Sequence, residues 1–314
     1  MTRSVLVTGA AGFLGRAFAR HHLAAGDAVV AVDDLSSEHA FWPDELPASS
    51  RVEQDAAAFL ATSEGPFDIV YHFAAPVGGR LKIEGDPLFN ADSLRLDSVL
   101  FRWAIGKVGV VLFPSSSAVY GIAYQGGAGQ LLEESMFHPR DLTWPAPDEM
   151  YGFTKLVGER LAYTAEKYGL NTLCIRPFSG YGEGQSLEYP VPSIALRVVR
   201  HEDPVTIWGS GSQSRDFVHA DDLVGATVAR IEAGVNGYQS MNIASGTPTT
   251  FNEVARLMAE IEGYAPAIVN DTSKPEGVHA RFGSTAEMSR YYVPKIGLRE
   301  GMERVVRHAR ATLG

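Results

Sequence analysis

Ser4-Val-Leu-Val-Thr8-Gly9-Ala-Ala-Gly12-Phe-Leu-Gly15 is the stretch on which the fold turns. Ser4 to Thr8 reads as a short buried strand, and it runs straight into glycines spaced for a turn that opens a helix over about 13–25. Gly9 permits the tight turn, Gly12 lets backbone approach a pyrophosphate, and Gly15 lets the helix pack closely on the sheet. The helix N-terminus then offers free N–H groups and a positive dipole end to phosphates. A second strand, Ala28-Val-Val-Ala-Val32, follows and ends in Asp33-Asp34. Asp33 stands eighteen residues beyond Gly15, close to the spacing of an acid that accepts hydrogen bonds from an adenosine ribose. A 2′-phosphate would be repelled there, so the expected cofactor is NAD and not NADP. Asp34 reads as the turn residue that starts Leu35-Ser-Ser.

Working outward, strands near 51–53, 68–72 and 108–113 alternate with helical segments through about Phe178. That alternation predicts an α/β protein with a Rossmann-type, doubly wound parallel sheet covered by helices on both faces. Helices are expected over about 87–107 and about 150–168. Beyond Phe178 the chain turns rich in Gly, Pro, Ser and Tyr, as in Gly180-Tyr-Gly-Glu-Gly-Gln-Ser-Leu-Glu-Tyr-Pro190, a binding-loop composition. Two later helices are expected from the capping boxes Thr250/Glu253 and Ser284/Glu287.

With 45% hydrophobic and 20% charged residues over 314 positions, the chain has an ordinary globular composition and length enough for one large domain or two smaller ones. Its net charge of −10 argues against a nucleic-acid or anionic-membrane surface, since either needs a basic patch. No apolar run approaches membrane-spanning length, and the opening residues make no secretory signal. The single Cys174 lies in the apolar run Asn171-Thr-Leu-Cys-Ile175, so it is expected in the core, without disulfides, in a cytoplasmic protein. No clustering of ligand-type side chains implies a metal.

Tyr151 and Lys155 supply the chemistry. On a helix, positions i and i+4 share a face, so the lysine ammonium sits beside the phenol and stabilises its phenolate, as a positively charged nicotinamide would. Such a phenolate can take a hydroxyl proton while a hydride leaves the same carbon.

These residues resemble the extended short-chain dehydrogenase/reductase family of NAD-dependent nucleotide-sugar epimerases and dehydratases, over nearly the whole chain. The likeness rests on Thr8 to Gly15, Asp68-Ile-Val-Tyr-His-Phe-Ala-Ala75, Ser115-Ser-Ser-Ala-Val-Tyr-Gly121, Tyr151 with Lys155, Arg176-Pro-Phe-Ser-Gly-Tyr-Gly182, and Trp208-Gly-Ser-Gly-Ser-Gln-Ser-Arg-Asp-Phe-Val-His219. The resemblance implies a cofactor domain over 1–178, to which the chain returns at about 218–242, and a smaller C-terminal α/β lobe over 179–314 that holds the nucleotide sugar. It implies Ser116 as the serine that works with Tyr151 and Lys155. It implies cofactor contacts at Phe13, Leu14, Ala74 and Ala75, with Asp55 reading the adenine or capping a helix. Substrate contacts are implied at Gly79, Ser117 and Ser179, with Arg215 and Arg281 gripping the diphosphate, while Arg176 braces backbone. His72 and His219 are expected to be structural. Pairing of the two long helices across a two-fold axis would make a homodimer.

Positions that decide the reaction speak by absence. Dehydratases of this family carry an Asp-Glu pair directly after the catalytic hydroxyl residue, and decarboxylases a Glu two positions on; here those positions are Ser117 and Ala118. Local wording, including Ala75-Pro-Val-Gly-Gly79 and Trp144 to Tyr151, resembles the GDP-mannose 3,5-epimerases, yet their catalytic cysteine falls on Ala118. Ser179 and Leu94 replace family asparagines. The expectation is transient oxidation and inversion at C4 of a nucleotide-linked hexose. The alternatives are a 3,5-epimerase with other acids, and a sensor of NAD or nucleotide sugar without turnover. Arg80 and Lys82, after Gly79, read as a solvated loop, with contact to a substrate carboxylate or phosphate as the alternative.

Overall fold

The computed structural model describes residues 2–312, apart from 77, 87, 128 and 142. In chain order the elements are β1 (Ser4–Thr8), α1 (Phe13–Ala24), β2 (Ala28–Asp33), β3 (Arg51–Glu53), α2 (Ala56–Thr62), β4 (Phe67–His72), α3 (Arg80–Gly85), α4 (Ser93–Ala104), β5 (Val108–Pro114), β6 (Leu131–Leu132), α5 (Glu149–Ala165), β7 (Thr172–Pro177), β8 (Ser179–Tyr181), α6 (Pro190–Val199), β9 (Val205–Trp208), β10 (Ser214–His219), α7 (Ala220–Glu232), β11 (Tyr238–Ile243), β12 (Pro248–Thr250), α8 (Phe251–Glu262), β13 (Ile268–Asp271), β14 (Ala280–Gly283) and α9 (Leu298–Thr312).

Seven strands form one parallel sheet in the order β3-β2-β1-β4-β5-β7-β11. The order reverses direction between β1 and β4, and ligands of such sheets bind in the crevice beyond the strand ends at that switch. Alternate residues of β1 explain why the sheet is covered twice. Val5 and Val7 join Phe18, Tyr71, Leu112, Ile175, Leu223 and Met241 on one face, while Leu6 joins Val70, Val111, Leu100, Phe101 and Cys174 on the other. The near-continuous apolar strands read from sequence are what a sheet buried on both faces requires.

The second sheet runs β12-β10-β14-β6, with β8 added beside β10. It therefore recruits β6 from within the first 178 residues, a crossing too short at two residues to leave a periodic trace in the sequence. The third apolar cluster packs α6, α8 and α9 together through Ile194, Val198, Val254, Met258, Met302 and Val305. β9 and β13 form a separate parallel pair.

Local signals explain most helix ends. Pro190 sits in the first turn of α6, where its missing N–H costs nothing. Thr250 and Glu253 form the reciprocal capping box of α8, and Gly263 closes that helix at φ +88°. The box expected at Ser284 and Glu287 does not start a helix: Glu287 turns to Arg290 at 2.7 Å, and only a 3₁₀ turn, Met288–Arg290, follows. Tyr291-Tyr-Val-Pro294 comes next, aromatic and β-branched residues and then a proline, which cannot propagate a helix. The helix expected over about 87–107 is a 3₁₀ turn at Phe89–Asp92 followed by α4; Pro87 lies outside the described residues. Among the described residues, no helix is long and apolar enough to cross a membrane.

Candidate active site

At the switch point the glycines do three different jobs. Gly9 has φ +68°, and a Cβ there would lie 2.4 Å from the Phe73 carbonyl carbon, so the β1 turn presses directly on the β4 turn. A Cβ on Gly15 would stand 2.0 Å from the Gly9 oxygen, which no relaxation of α1 could absorb. Gly12 begins α1 in extended conformation without a capping side chain, and the first turn, which holds Phe13 and Leu14, carries no acid. The amides at this helix start are thus left for an external anion. Ala74 and Ala75 follow β4 beside the same turn, the Ala74 N–H lying 3.5 Å from Thr8 Oγ1.

Asp33 closes β2 with its carboxylate turned to this turn, accepting from the Ala11 N–H at 2.9 Å and the Leu35 N–H at 2.8 Å. Burial pushes the carboxyl up, against the pull of those two amides. Asp34 bonds Ser36 locally, as a turn residue should. Asp55 caps α2 through the Ala58 N–H at 2.9 Å while its other oxygen meets Arg95 at 3.4 Å. His72 bonds Thr8 Oγ1, and His219 caps α7, so both are occupied structurally. A glycine cradle with open amides, flanked by a strand-end acid, fits a dinucleotide.

Beyond β5 three serines diverge. Ser115 gives its hydroxyl to buried Glu159, which removes it from the cleft. Ser116 Oγ accepts from the Ala118 N–H at 3.1 Å and starts the Ser117–Val119 turn. α5 packs straight onto this turn: a Cβ on Gly152 would lie 2.4 Å from the Ala118 oxygen, and one on Gly158 2.1 Å from the Phe113 ring. The Gly152 contact sets the first turn of α5, which carries Tyr151, against the Ser117–Val119 turn. Lys155 is buried one turn on, its Nζ 6.0 Å from the Tyr151 ring centroid and 5.4 Å from that of Phe113.

A fully buried ion pair fixes the other end of the arrangement. Arg176 on β7 binds Glu159 on α5 through Nε at 2.9 Å and Nη2 at 2.8 Å. It also donates to the Phe137 and Glu134 carbonyls and to the Tyr120 hydroxyl. It braces backbone, the role expected of it.

The arginines gather around one carboxylate. Arg215 on β10 and Arg281 on β14 are register neighbours. Arg281 pairs with Asp148 at 2.7 Å, and Arg80 reaches the other oxygen of Asp148 at 2.9 Å while also pairing with Glu84. Arg80 is therefore half-buried in a charge cluster and not solvated; the Asp148 that draws it in is 68 residues away in sequence. Burial works against the charge on Asp148, yet Arg281 and Arg80 hold its carboxyl below the usual range. Among the described residues Arg215 donates only to the Ser214 and Glu276 carbonyls, and burial, then Arg281, brings its guanidinium down to about 9. Lys82 lies over the Phe89 ring.

Ser179 opens β8 opposite Phe217. The loop after β8 reaches the first lobe at Gly79, whose N–H donates to Glu188 at 3.1 Å and whose missing side chain leaves room for the Glu188 backbone. Tyr189 is half-buried next to Tyr151; burial, then that neighbour, pushes its phenol up. Asp148, Glu188 and Tyr189 are residues of the candidate site that sequence alone did not single out; Arg80 was visible by its place directly after Gly78-Gly79, but its pairing with Asp148 was not.

The comparisons with known proteins agree with this geometry. Residues 5–244 match the NAD dependent epimerase/dehydratase family. The chain is 31% identical to dTDP-4-dehydro-6-deoxy-D-allose reductase of a Streptomyces species, over 97% of this chain and 95% of the relative. It is 28% identical to UDP-glucuronate 4-epimerase of Thermodesulfobacterium geofontis, over 96% and 94%. Its backbone is similar to that of UDP-glucose 4-epimerase from Thermus thermophilus in complex with NAD, with a TM-score of 0.80, 25% identity and coverage of 98% of this chain and 99% of that one. On the match over residues 5–244 and the full-length likeness to the reductase, this chain belongs to the NAD-dependent nucleotide-sugar epimerase/dehydratase family and is an enzyme of that class.

Proposed function

We propose that the protein is a nucleotide-sugar 4-epimerase. The observation that carries this reading is Tyr151 and Lys155 on one α5 face against the Ser116 turn, with Ser117 and Ala118 where other branches of the family keep an acid. NAD held in the glycine cradle supplies a hydride acceptor and donor. Ser116 holds the C4 oxygen and Tyr151 takes its proton, with Lys155 stabilising the charge left on the phenol. Arg215 and Arg281 hold the diphosphate, so the hexose stays tethered at one end while its ring turns over. Tyr151 then returns the proton, and the centre is inverted without net redox change.

Abstraction of a carbon-bound proton at C3 or C5 would need a free base. Asp148 is held between two arginines, and Glu188 accepts from Gly79. The hydrogen bond from His219 holds the Glu183 carboxyl down to about 2, which leaves it ionised but a weak base.

Incubating the purified protein in heavy water with UDP-, GDP-, dTDP-, CDP- and ADP-sugars, without added cofactor, tests the reading by NMR of each product. Isomerisation with no deuterium at carbon is expected. Deuterium at C3 or C5, or a 4-keto-6-deoxy product, would remove it. The similarity to a 4-dehydro sugar reductase favours a second reading, reduction of a keto sugar by the same three side chains. Turnover only when NADH is added, with one NADH consumed per product, would establish that one.

The protein is further proposed to be a homodimer through α4 and α5. Leu81, Leu88 and Phe153 are exposed on α3, on the turn before α4 and on α5, elements that pack together. Sedimentation at the mass of one chain would exclude this.

A further inference from the structure

Arg16 follows Gly15 on α1, where an arginine would ordinarily reach solvent, yet it is only 3% exposed. Its Nη1 donates to the carbonyls of Ala11, in the glycine turn, and His39. Its Nη2 donates to the Gly184 carbonyl at 3.0 Å. The guanidinium lies 3.8 Å over the Phe41 ring, and the Phe41 N–H itself donates to Ala11 at 3.2 Å. One side chain therefore ties together the phosphate turn, the segment after β2 and the loop after β8.

The chemistry of this knot is unusual. Among the described residues all the hydrogen-bond partners of Arg16 are neutral carbonyls; burial, then repulsion from Arg20, brings its guanidinium down to about 10, with Asp33 opposing. A buried cation at neutral pH, without a bonded carboxylate, costs free energy that a nearby anion would recover. The adjacent α1 N-terminus is the anion site already described. Two glycines let the β8 loop lie this close: Gly184 at φ +75°, where a Cβ would be 3.4 Å from Arg16 Nη2, and Gly182, where one would be 3.3 Å from the Phe13 ring. The same loop is pinned again by Glu183 to His219 and by Glu188 to Gly79, and it ends at Tyr189 beside Tyr151.

We propose that Arg16 is a positioning residue that retains the cofactor between turnovers, by clasping the segment after β2 and the loop after β8 across the glycine turn. The inference deepens the epimerase reading and rests on it in one respect: an enzyme that restores its NAD in every cycle gains from never releasing it, whereas a reductase must exchange it. Gly15 and Gly12 form the cradle; Arg16 sets how long it stays closed.

The test compares the purified wild type with Arg16→Met, Arg16→Lys and Phe41→Ala. Two quantities are read: NAD per chain liberated on denaturation, and the rate at which bound NAD exchanges with isotopically labelled NAD. The wild type is expected to hold close to one NAD per chain and to exchange slowly. Arg16→Met should exchange about tenfold faster or more, the scale of losing hydrogen bonds from a charged group, with Arg16→Lys in between. Because the Phe41 ring is half-exposed, Phe41→Ala should fold normally and still exchange faster; it decides alone if Arg16→Met does not fold. Exchange at the wild-type rate in a folded variant, or a wild type that loses its NAD within the mixing time, overturns the clasp. The NMR turnover assay is scored separately. Slow NAD release without epimerisation sinks the epimerase and spares the clasp, and epimerisation with equal release from all four proteins does the reverse.

Discussion

Tyr151→Phe should lower turnover by about 10²- to 10⁴-fold, the usual worth of a positioned acid/base group, with NAD content and thermal stability close to those of the wild type. The ring would still fill its place at the start of α5, because the contacts that seat the helix belong to Gly152 and Gly158. Only the hydroxyl goes, and with it the group that removes and returns the proton. Tyr189 stands near but is no substitute, since burial holds its phenol protonated. The measurement is kcat on whichever nucleotide sugar the screen identifies, with bound NAD quantified in the same preparation. A variant keeping more than about a tenth of wild-type turnover would assign the proton transfer elsewhere.

Arg176→Met is expected to destabilise the fold by about 3–5 kcal/mol, the cost of stranding one member of a buried ion pair. The stranded member is Glu159, fully buried and also bonded by Ser115 and Tyr238. Replacing both charges, Glu159→Leu with Arg176→Met, should recover much of the loss, because two apolar groups leave no unpaired charge. Urea unfolding midpoints of the three variants separate the cases. A loss below about 1 kcal/mol for Arg176→Met would mean that the pair is not the brace between α5 and β7 described above.

The parts of this protein that were legible in the sequence are those fixed by local rules. The glycine turn, Asp33 at a strand end, the i and i+4 pairing of Tyr151 with Lys155, and the Thr250 box each depend on a few neighbouring residues, and the backbone places them accordingly. What stayed hidden depends on partners far along the chain. Arg80 reads as a loop cation until Asp148 is brought against it, and Arg16 as an ordinary helix residue until Gly184 arrives 168 residues later. The Ser284 box failed for a related reason: a capping pattern states where a helix can start, and the residues after it decide whether one continues.

The position of β11 beside β7 bears on how the protein is made. β7 becomes an interior strand only when Tyr238–Ile243 pairs along Thr172–Pro177. During synthesis the N-terminal half therefore leaves the ribosome with an apolar strand edge bare, and it stays bare while the whole β8 to α7 segment is still emerging. A nascent chain in that interval is a natural client for a chaperone. For the same reason the seven-stranded sheet cannot be cut out as a simple N-terminal fragment, since the strand that seals its edge is encoded well downstream.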